Sequence, residues 1–415
     1  MEKLTIYGGK PLYGSVEIGG AKNSILPILA ASIICGDRCV ITNCPEIADV
    51  DTAVEILTYL GCTAERHGSA LVIDTAQACK ADVPAHLMEK MRASVNFLGA
   101  LLGRFGTCEL SLPGGCSLGQ RPIDYHISAL SVLGVAMQEE GGRLKFLWPG
   151  RCGGDVVLPF PSVGATENVV IAATCTPGKV VLKGAAKEPE VVDLCRFLCQ
   201  MGADISGYGT DTITICGGKP LCGTVYRVMP DRMEAATYLA MGAACGGEIT
   251  LRGVVPEHLT AVTEVLRRAG CCIETAEKQM TITRTGKLVG AGYIETETYP
   301  GFPTDAQAPV MAALLRAEGE TVFRETIFSS RYQHIPQLRK FGAEIAVDGS
   351  VATVSGVSRL CGATAEATDL RGGAAVLVAA LQADGVSRAE NLHFVCRGYG
   401  NLTENLRKLG AEIYE

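Results

Sequence analysis

The sequence predicts an α/β protein of two inside-out domains, each built from three repeats whose helices are buried while their sheets face outward. Three observations carry this expectation. Two interleaved series of glycines recur at a period of about 70 residues, strongly apolar helical segments lie between them, and the length of 415 residues is too great for one ordinary core.

In the first series a helix ends on an apolar residue and Gly, then gives way to a short strand: Leu60-Gly61-Cys62, Leu133-Gly134-Val135, Met201-Gly202-Ala203, Ala269-Gly270-Cys271, Phe341-Gly342-Ala343 and Leu409-Gly410-Ala411. Gly suits a helix stop because it enters the left-handed conformation without steric cost. In the second series, out of phase with the first, Gly36, Gly106, Gly178, Gly247, Gly319 and Gly385 each release a helix into an alternating strand. After Gly178, Val180 and Leu182 alternate with Val181 and Lys183; after Gly247, Ile249 and Leu251 alternate with Thr250 and Arg252. That is the period-two pattern of half-buried strands.

Each repeat thus contains a strand, a helix, a strand hairpin and another helix, and six such units divide into two domains of three. Chance recurrence in a Gly-rich chain explains single copies but not two series in step. Stretches such as 308–315 and 373–381 are apolar enough to be buried inside each domain, which leaves the sheets outside. Because the first repeat starts mid-unit, the N-terminal strand is expected to pair with the last repeat, and the chain to cross between domains twice. The expected domains are 22–229 and 1–21 plus 230–415.

Composition narrows the function. The chain is 47% hydrophobic and 6% aromatic, with one Trp, Trp148, as in an ordered α/β protein. A formal charge of −7 argues against a broad nucleic-acid-binding face, which needs a surplus of Lys and Arg on one surface. The apolar stretch 24–35 contains Pro27 and is too short to span a bilayer, so a buried helix is expected there, with no membrane partner and a cytoplasmic location. Eighteen Cys in a chain of this length do not suggest a secreted disulfide scaffold, and no C-x-x-C pair supports structural zinc. Most of these thiols are expected as small core residues.

The segment Ser111-Leu112-Pro113-Gly114-Gly115-Cys116-Ser117-Leu118-Gly119-Gln120-Arg121-Pro122 stands out among the loops. Its Pro and Gly favour mobility, and Cys116 lies within reach of Arg121, a cation that favours thiolate. On these residues alone it is either a reactive thiol that enters a site on closure or a turn holding one of many Cys. Lys22 and Asn23 stand at the entrance of an apolar helix, where Lys22 either meets an anion or is simply solvated. Arg92 interrupts an otherwise apolar helix and needs an anionic partner or solvent. Arg331, Arg371 and Arg397 recur in the last two repeats, and several Arg on one cleft suit a ligand with both phosphate and carboxylate. Phe302-Pro303-Thr304-Asp305 and Thr368-Asp369-Leu370-Arg371 each place an acid at the start of a buried helix, either as an ordinary helix-end charge or, for Asp305, as a base.

Together these residues resemble the UDP-N-acetylglucosamine 1-carboxyvinyltransferase family, enolpyruvyl transferases of the EPSP synthase-like fold. The resemblance runs over essentially the whole chain. It includes Gly20-Ala21-Lys22-Asn23, Met91-Arg92-Ala93-Ser94, the Pro-Gly-Gly-Cys loop, Arg121-Pro122-Ile123-Asp124, Ser162-Val163-Gly164-Ala165-Thr166, Glu188-Pro189-Glu190, Pro230-Asp231-Arg232, Phe302-Pro303-Thr304-Asp305, Thr368-Asp369-Leu370-Arg371 and Arg397-Gly398-Tyr399. It departs at Cys396 and Gly400, where acids are common in the family, at Ser329-Ser330, and at Asn96, which is aromatic in some members.

The resemblance implies transfer of the enolpyruvyl group of phosphoenolpyruvate to the 3-hydroxyl of UDP-N-acetylglucosamine, with release of phosphate, opening peptidoglycan synthesis. It implies two domains that close on substrate, no redox cofactor or metal, and a monomer. By the same resemblance Lys22, Asn23, Arg92, Arg121, Arg331, Arg371 and Arg397 surround phosphoenolpyruvate. Asn23, Arg92, Arg121, Pro122, Ile123, Asp124, Tyr125, Ser162, Val163, Gly164, Asp305 and Ile327 take the nucleotide sugar. Cys116 is the expected acid and Asp305 the expected base, with Lys22 and Arg397 also catalytic. Bound phosphoenolpyruvate would offset the charge of Arg121, so that Cys116 protonates as the domains close. Fosfomycin, an epoxide phosphonate, would alkylate Cys116. Three other readings are an enolpyruvyl transferase of the shikimate pathway, lacking the Cys loop, a non-catalytic paralogue that binds UDP-sugar and regulates partners, and a thiol enzyme pairing Cys116 with His126.

Overall fold

The computed structural model describes residues 2–111 and 123–415; Cys116, Arg121 and Pro122 lie outside the described residues. The described chain divides into two compact units, one spanning Gly20 to Met229 and the other joining the chain up to Gly19 with Pro230–Glu415. Each has its own hydrophobic core.

Six four-stranded sheets share one plan: a parallel edge pair, then two antiparallel pairings. In the third repeat Gly154–Val157 runs parallel to Gly178–Lys183, which pairs antiparallel with Thr212–Gly217, which pairs antiparallel with Asp204–Ser206. Val180, Leu182, Ile249 and Leu251 are all fully buried, as the period-two pattern requires. The opposite strand faces are open to solvent and carry Tyr7, Tyr13, Val157, Val225 and Tyr293.

Long-range strands complete three of the sheets. Lys3–Tyr7 lies between Val386–Glu390 and Glu412–Tyr414, antiparallel to both. Leu12–Glu17 runs parallel to Gly247–Arg252, and Val225–Arg227 runs parallel to Arg38–Thr42. Both glycine series take positive φ: the helix stops range from 86° at Gly410 to 110° at Gly202, and the strand starts from 63° at Gly36 to 99° at Gly178. A side chain at any of them would be strained.

One helix in each repeat is almost wholly buried. In the first unit these are α1 (Lys22–Ala31), α2 (Phe97–Phe105) and α3 (Val163–Thr174); in the second, α4 (Arg232–Cys245), α5 (Thr304–Ala313) and α6 (Leu370–Gln382). The second helix of a repeat shows one face to solvent: Thr260–Arg268 buries Val262, Thr263, Val265 and Leu266 and exposes Thr260, Glu264, Arg267 and Arg268.

Small residues let the inner helices approach. A Cβ on Gly99 would lie 2.5 Å from the Asn168 carbonyl oxygen, and one on Gly103 would lie 2.8 Å from Cys175 Sγ. Successive residues of α2 therefore meet successive turns along α3, so the two helices run parallel and their N-termini share one end of the unit. In the other unit Asp305 and Arg371 join the first turns of α5 and α6, while Gln382 Nε2 donates to Ala312 O at the far ends. These two helices are parallel as well. Each unit thus gathers positive helix ends at one place.

The expectation for Arg92 needs correction. It does not interrupt a helix: Met91 is extended, at φ −147° and ψ 127°, so the helix Ala85–Lys90 stops there and Arg92 opens a 3-10 turn, Arg92–Asn96, leading into α2. Neither Gly nor Pro marks this break, so the sequence carries no breaker signal for it.

Candidate active site

In the unit from Gly20 to Met229, the candidate residues stand at helix starts. Lys22 is the first residue of α1, and its Nζ lies 2.8 Å from Asp49 Oδ2, the two side chains being 12% and 4% exposed. Asp49 was not among the expected site residues. Its signal was present, since Asp49 and Asp51 together mark the first turn of the helix Ala48–Tyr59. Asn23 is exposed one residue further on. Pro27, inside α1, has no N–H to offer the Asn23 carbonyl four residues back.

A second group surrounds the buried His126. Asn168 Oδ1 accepts the Gly99 N–H at 2.6 Å, which makes Asn168 Nδ2 the donor toward His126 Nδ1 at 2.9 Å. His126 therefore accepts at Nδ1 and carries its proton on Nε2. Burial, reinforced by the charge of Arg92 and opposed by Asp124, lowers its pKa to about 4. Neutral and fixed in this way, His126 is a scaffold against which Gly164 packs: a Cβ there would sit 3.1 Å from the imidazole Cε1. Ser162 caps α3 by accepting the Ala165 N–H at 3.4 Å, leaving Val163 and Gly164 in the first turn. Ile123 is buried ahead of the helix Asp124–Val132, in which Asp124 is exposed and Tyr125 half-buried. Gly164 thus packs directly on the uncharged imidazole, and Arg92 and Asp124 act on it through their charges.

Asn96, one of the departures from the family pattern, is buried and donates to Glu167 Oε2 at 2.8 Å. Burial pushes Glu167 up to about 8 against that hydrogen bond, and Glu190 and Glu188 push the same way.

In the other unit, Asp305 joins two arginines. Its Oδ1 accepts from Arg331 Nη2 at 2.9 Å; its Oδ2 accepts from Arg371 Nε at 3.1 Å and Nη2 at 2.9 Å. The arginine side chains are 2% and 5% exposed, and that of Asp305 is 28% exposed. Burial would lower the Arg371 pKa, but the charge of Asp305, with Tyr399 and Asp231 acting in the same direction, outweighs it and holds it raised. Arg371 Nη1 also donates to Tyr399 Oη at 3.1 Å, and Tyr399 meets Thr237 Oγ1 at 2.7 Å. Arg331 Nε is buried with no hydrogen-bond acceptor among the described residues.

The two acids that looked alike in sequence take different parts. Asp369 is an ordinary N-cap, accepting from the Arg371 and Gly372 N–H groups at 2.9 and 3.1 Å, whereas Asp305 sits in the first turn of α5 and turns its carboxylate to guanidinium groups. Glu325, missed in the sequence, holds Ile327. Its Oε1 accepts the N–H groups of Ile327 and Phe328 at 2.8 and 3.0 Å, and its Oε2 accepts from Thr304 and Gln307 at 2.9 Å each. The Ile327 backbone is thereby fastened to the helix turn that carries Asp305. Arg397 ends the 3-10 turn Val395–Arg397 and is half-buried.

Fold and site together define a six-repeat, inside-out α/β protein whose buried helices open onto Lys and Arg side chains. Residues 6–406 match the family profile described as EPSP synthase (3-phosphoshikimate 1-carboxyvinyltransferase). The chain is 43% identical over 413 residues to UDP-N-acetylglucosamine 1-carboxyvinyltransferase 2 of Caldanaerobacter subterraneus subsp. tengcongensis, covering 100% of this chain and 99% of the relative. It is 43% identical over 415 residues to UDP-N-acetylglucosamine 1-carboxyvinyltransferase of Clostridium botulinum, with the same coverage. Among solved structures, the enolpyruvyl transferase NikO from Streptomyces tendae superposes with a TM-score of 0.89 at 26% identity, over 100% of this chain and 98% of that one. EPSP synthase from Acinetobacter baumannii, at TM-score 0.73 and 19% identity over 100% of both chains, shares the fold. The chain belongs to the EPSP synthase family and, within it, to the UDP-N-acetylglucosamine 1-carboxyvinyltransferases.

Proposed function

We propose that this protein transfers the enolpyruvyl group of phosphoenolpyruvate to the 3-hydroxyl of UDP-N-acetylglucosamine and releases phosphate, as the committed step of peptidoglycan synthesis in the cytoplasm. The observation that carries the reading is the 43% identity maintained across the whole chain to relatives bearing that activity's name. The reading assigns both residue groups to one reaction and requires no metal or redox cofactor.

In this reading Lys22, Asn23, Arg92, Arg121, Arg331, Arg371 and Arg397 take the phosphate and carboxylate of phosphoenolpyruvate. Asn23, Arg92, Arg121, Pro122, Ile123, Asp124, Tyr125, Ser162, Val163, Gly164, Asp305 and Ile327 take the nucleotide sugar. Both Asp305 oxygens accept hydrogen bonds from arginine, the pattern of an ionised carboxylate. An arriving anion competes for the same guanidinium groups and frees an Asp305 lone pair to remove the proton from the sugar hydroxyl. Cys116 gives a proton to C3 of phosphoenolpyruvate and the hydroxyl oxygen bonds to C2; the tetrahedral ketal then returns a C3 proton to the Cys116 thiolate as it expels phosphate, which restores the C2–C3 double bond. Lys22 and Arg397 stabilise the charge gathering on the phosphoryl and carboxylate oxygens, where one well-aimed donor contributes roughly 3 kcal/mol.

The experiment is phosphate release from phosphoenolpyruvate with UDP-N-acetylglucosamine, for the native protein and Cys116→Ala. Native turnover and a loss of about 10²-fold or more in the variant are expected; equal rates would remove Cys116 from the mechanism.

A further inference from the structure

Lys22 opens α1, and the far end of the same helix carries a pair of thiols that the proposed reaction does not use. Beyond Ala31 the helix tightens into a 3-10 turn, Ser32–Cys35, and Gly36 at φ 63° turns the chain into the strand Arg38–Thr42. This reversal brings Cys35 Sγ to 4.0 Å from Cys39 Sγ. Cys39 is fully buried, while Cys35 is half-buried and the more accessible of the two.

The surroundings suit a reactive and a resolving thiol. Cys35 Sγ has the Ser32 carbonyl at 3.2 Å, the Asp37 carbonyl at 3.8 Å and Thr75 Oγ1 at 3.9 Å. The Asp37 carboxylate is engaged elsewhere, by the N–H groups of Arg38 at 2.7 Å and Gly223 at 3.0 Å. The Arg104 guanidinium packs over the turn so closely that a Cβ on Gly36 would lie 2.2 Å from its Nη1. A hydrogen bond from the Cys39 thiol lowers the Cys35 pKa against the effect of burial, and the same contact, with burial, raises that of Cys39.

We propose that Cys35 and Cys39 form a redox-responsive dithiol, which closes to an intramolecular disulfide by exchange with a low-molecular-weight disulfide. The Cys35 thiolate attacks one sulfur of the small disulfide, whose S–S bond breaks and releases the first small thiolate. Cys39 loses its proton to that leaving group and attacks Cys35 Sγ, and the mixed disulfide breaks to release the second small thiolate, which takes a proton from water. Two protein thiols are oxidised and one small disulfide is reduced to two thiols. The sulfurs must approach by about 2 Å to reach bonding distance. No buried acceptor is orphaned, because the Ser32 carbonyl keeps Thr75 Oγ1 at 3.3 Å and the Asp37 carbonyl keeps the Thr75 N–H at 3.3 Å.

Trypsin provides the test because it cleaves after Arg38, between the two thiols. The full chain is incubated with oxidised glutathione, alkylated, digested and read by mass spectrometry, with the exposed Cys79 and Cys222 as internal controls of glutathione reactivity. The native protein is expected to yield residues 23–38 covalently joined to residues 39–66, and reductant to separate them. Cys39→Ala is expected to stop at a glutathione adduct on Cys35, and Cys35→Ser to show neither the joined peptides nor an adduct on Cys39. The proposal is overturned if the native pair stays reduced while Cys79 and Cys222 react, or if native Cys35 retains glutathione without closing. It is equally overturned if Cys39→Ala still joins the peptides through Cys44 or Cys62.

Discussion

At Asp305 one carboxylate serves two guanidinium groups that are almost without solvent. Removing its charge would leave Arg331 and Arg371 buried and uncompensated, which costs roughly 3–5 kcal/mol. Asp305→Asn is therefore expected to lower both the denaturation midpoint and the turnover of the protein that remains folded, the latter by about 10²- to 10⁴-fold. Melting curves and phosphate release on the same preparation check both. An unchanged melting curve would contradict the ion-pair geometry, and an unchanged rate the assignment of Asp305 as base. Two buried acids carry a second signature. Glu167 and Glu234 are each pushed up to about 8, chiefly by burial, from an ordinary 4.5. Protonated in the fold and ionised once unfolded, they favour the native state fully below the unfolded value and lose that contribution as pH rises through the folded one. Urea midpoints should fall between about pH 5 and pH 9, and Glu167→Gln, which keeps an acceptor for Asn96, should reduce the fall. A variant with the native pH dependence would show that Glu167 is ionised in the fold.

At the scale of elements, each inner helix is legible from its composition and each sheet from its glycines. Twelve glycines in two registers could be aligned by eye, and positive φ at all twelve is the physical reason the pattern survives. The site was legible only where residues stand beside a helix start, as Lys22, Asp305 and Arg371 do. Glu325 and Thr237 were not, since they meet their partners Thr304 and Tyr399 across 21 and 162 residues of chain through tertiary packing, and no local pattern encodes such a distance. The break at Met91 stayed hidden because neither Gly nor Pro marks it. Strand exchange gives the prediction at this scale. Lys3–Tyr7 is an interior strand of the sheet that holds Val386–Glu390, so a 230–415 fragment lacks the centre of one sheet and an edge of another. A 20–229 fragment keeps every strand of its own three sheets. The shorter piece is expected to fold only when residues 1–19 are supplied, and circular dichroism with limited proteolysis will tell. Independent folding of 230–415 would contradict the role given to the N-terminal strands.

For the whole molecule, six copies of one supersecondary plan supply two cores, and the chemistry is assigned to a few side chains at the ends of buried helices. A fold shared with EPSP synthases at 19% identity cannot by itself choose the acceptor. That choice rests on residues such as Ser162, Gly164 and Ile327, which the proposal gives to a nucleotide sugar. The most direct measurement is the rate of phosphate release from phosphoenolpyruvate with each acceptor in turn. Release with UDP-N-acetylglucosamine and none above background with shikimate 3-phosphate is the predicted result; release with shikimate 3-phosphate alone would contradict it.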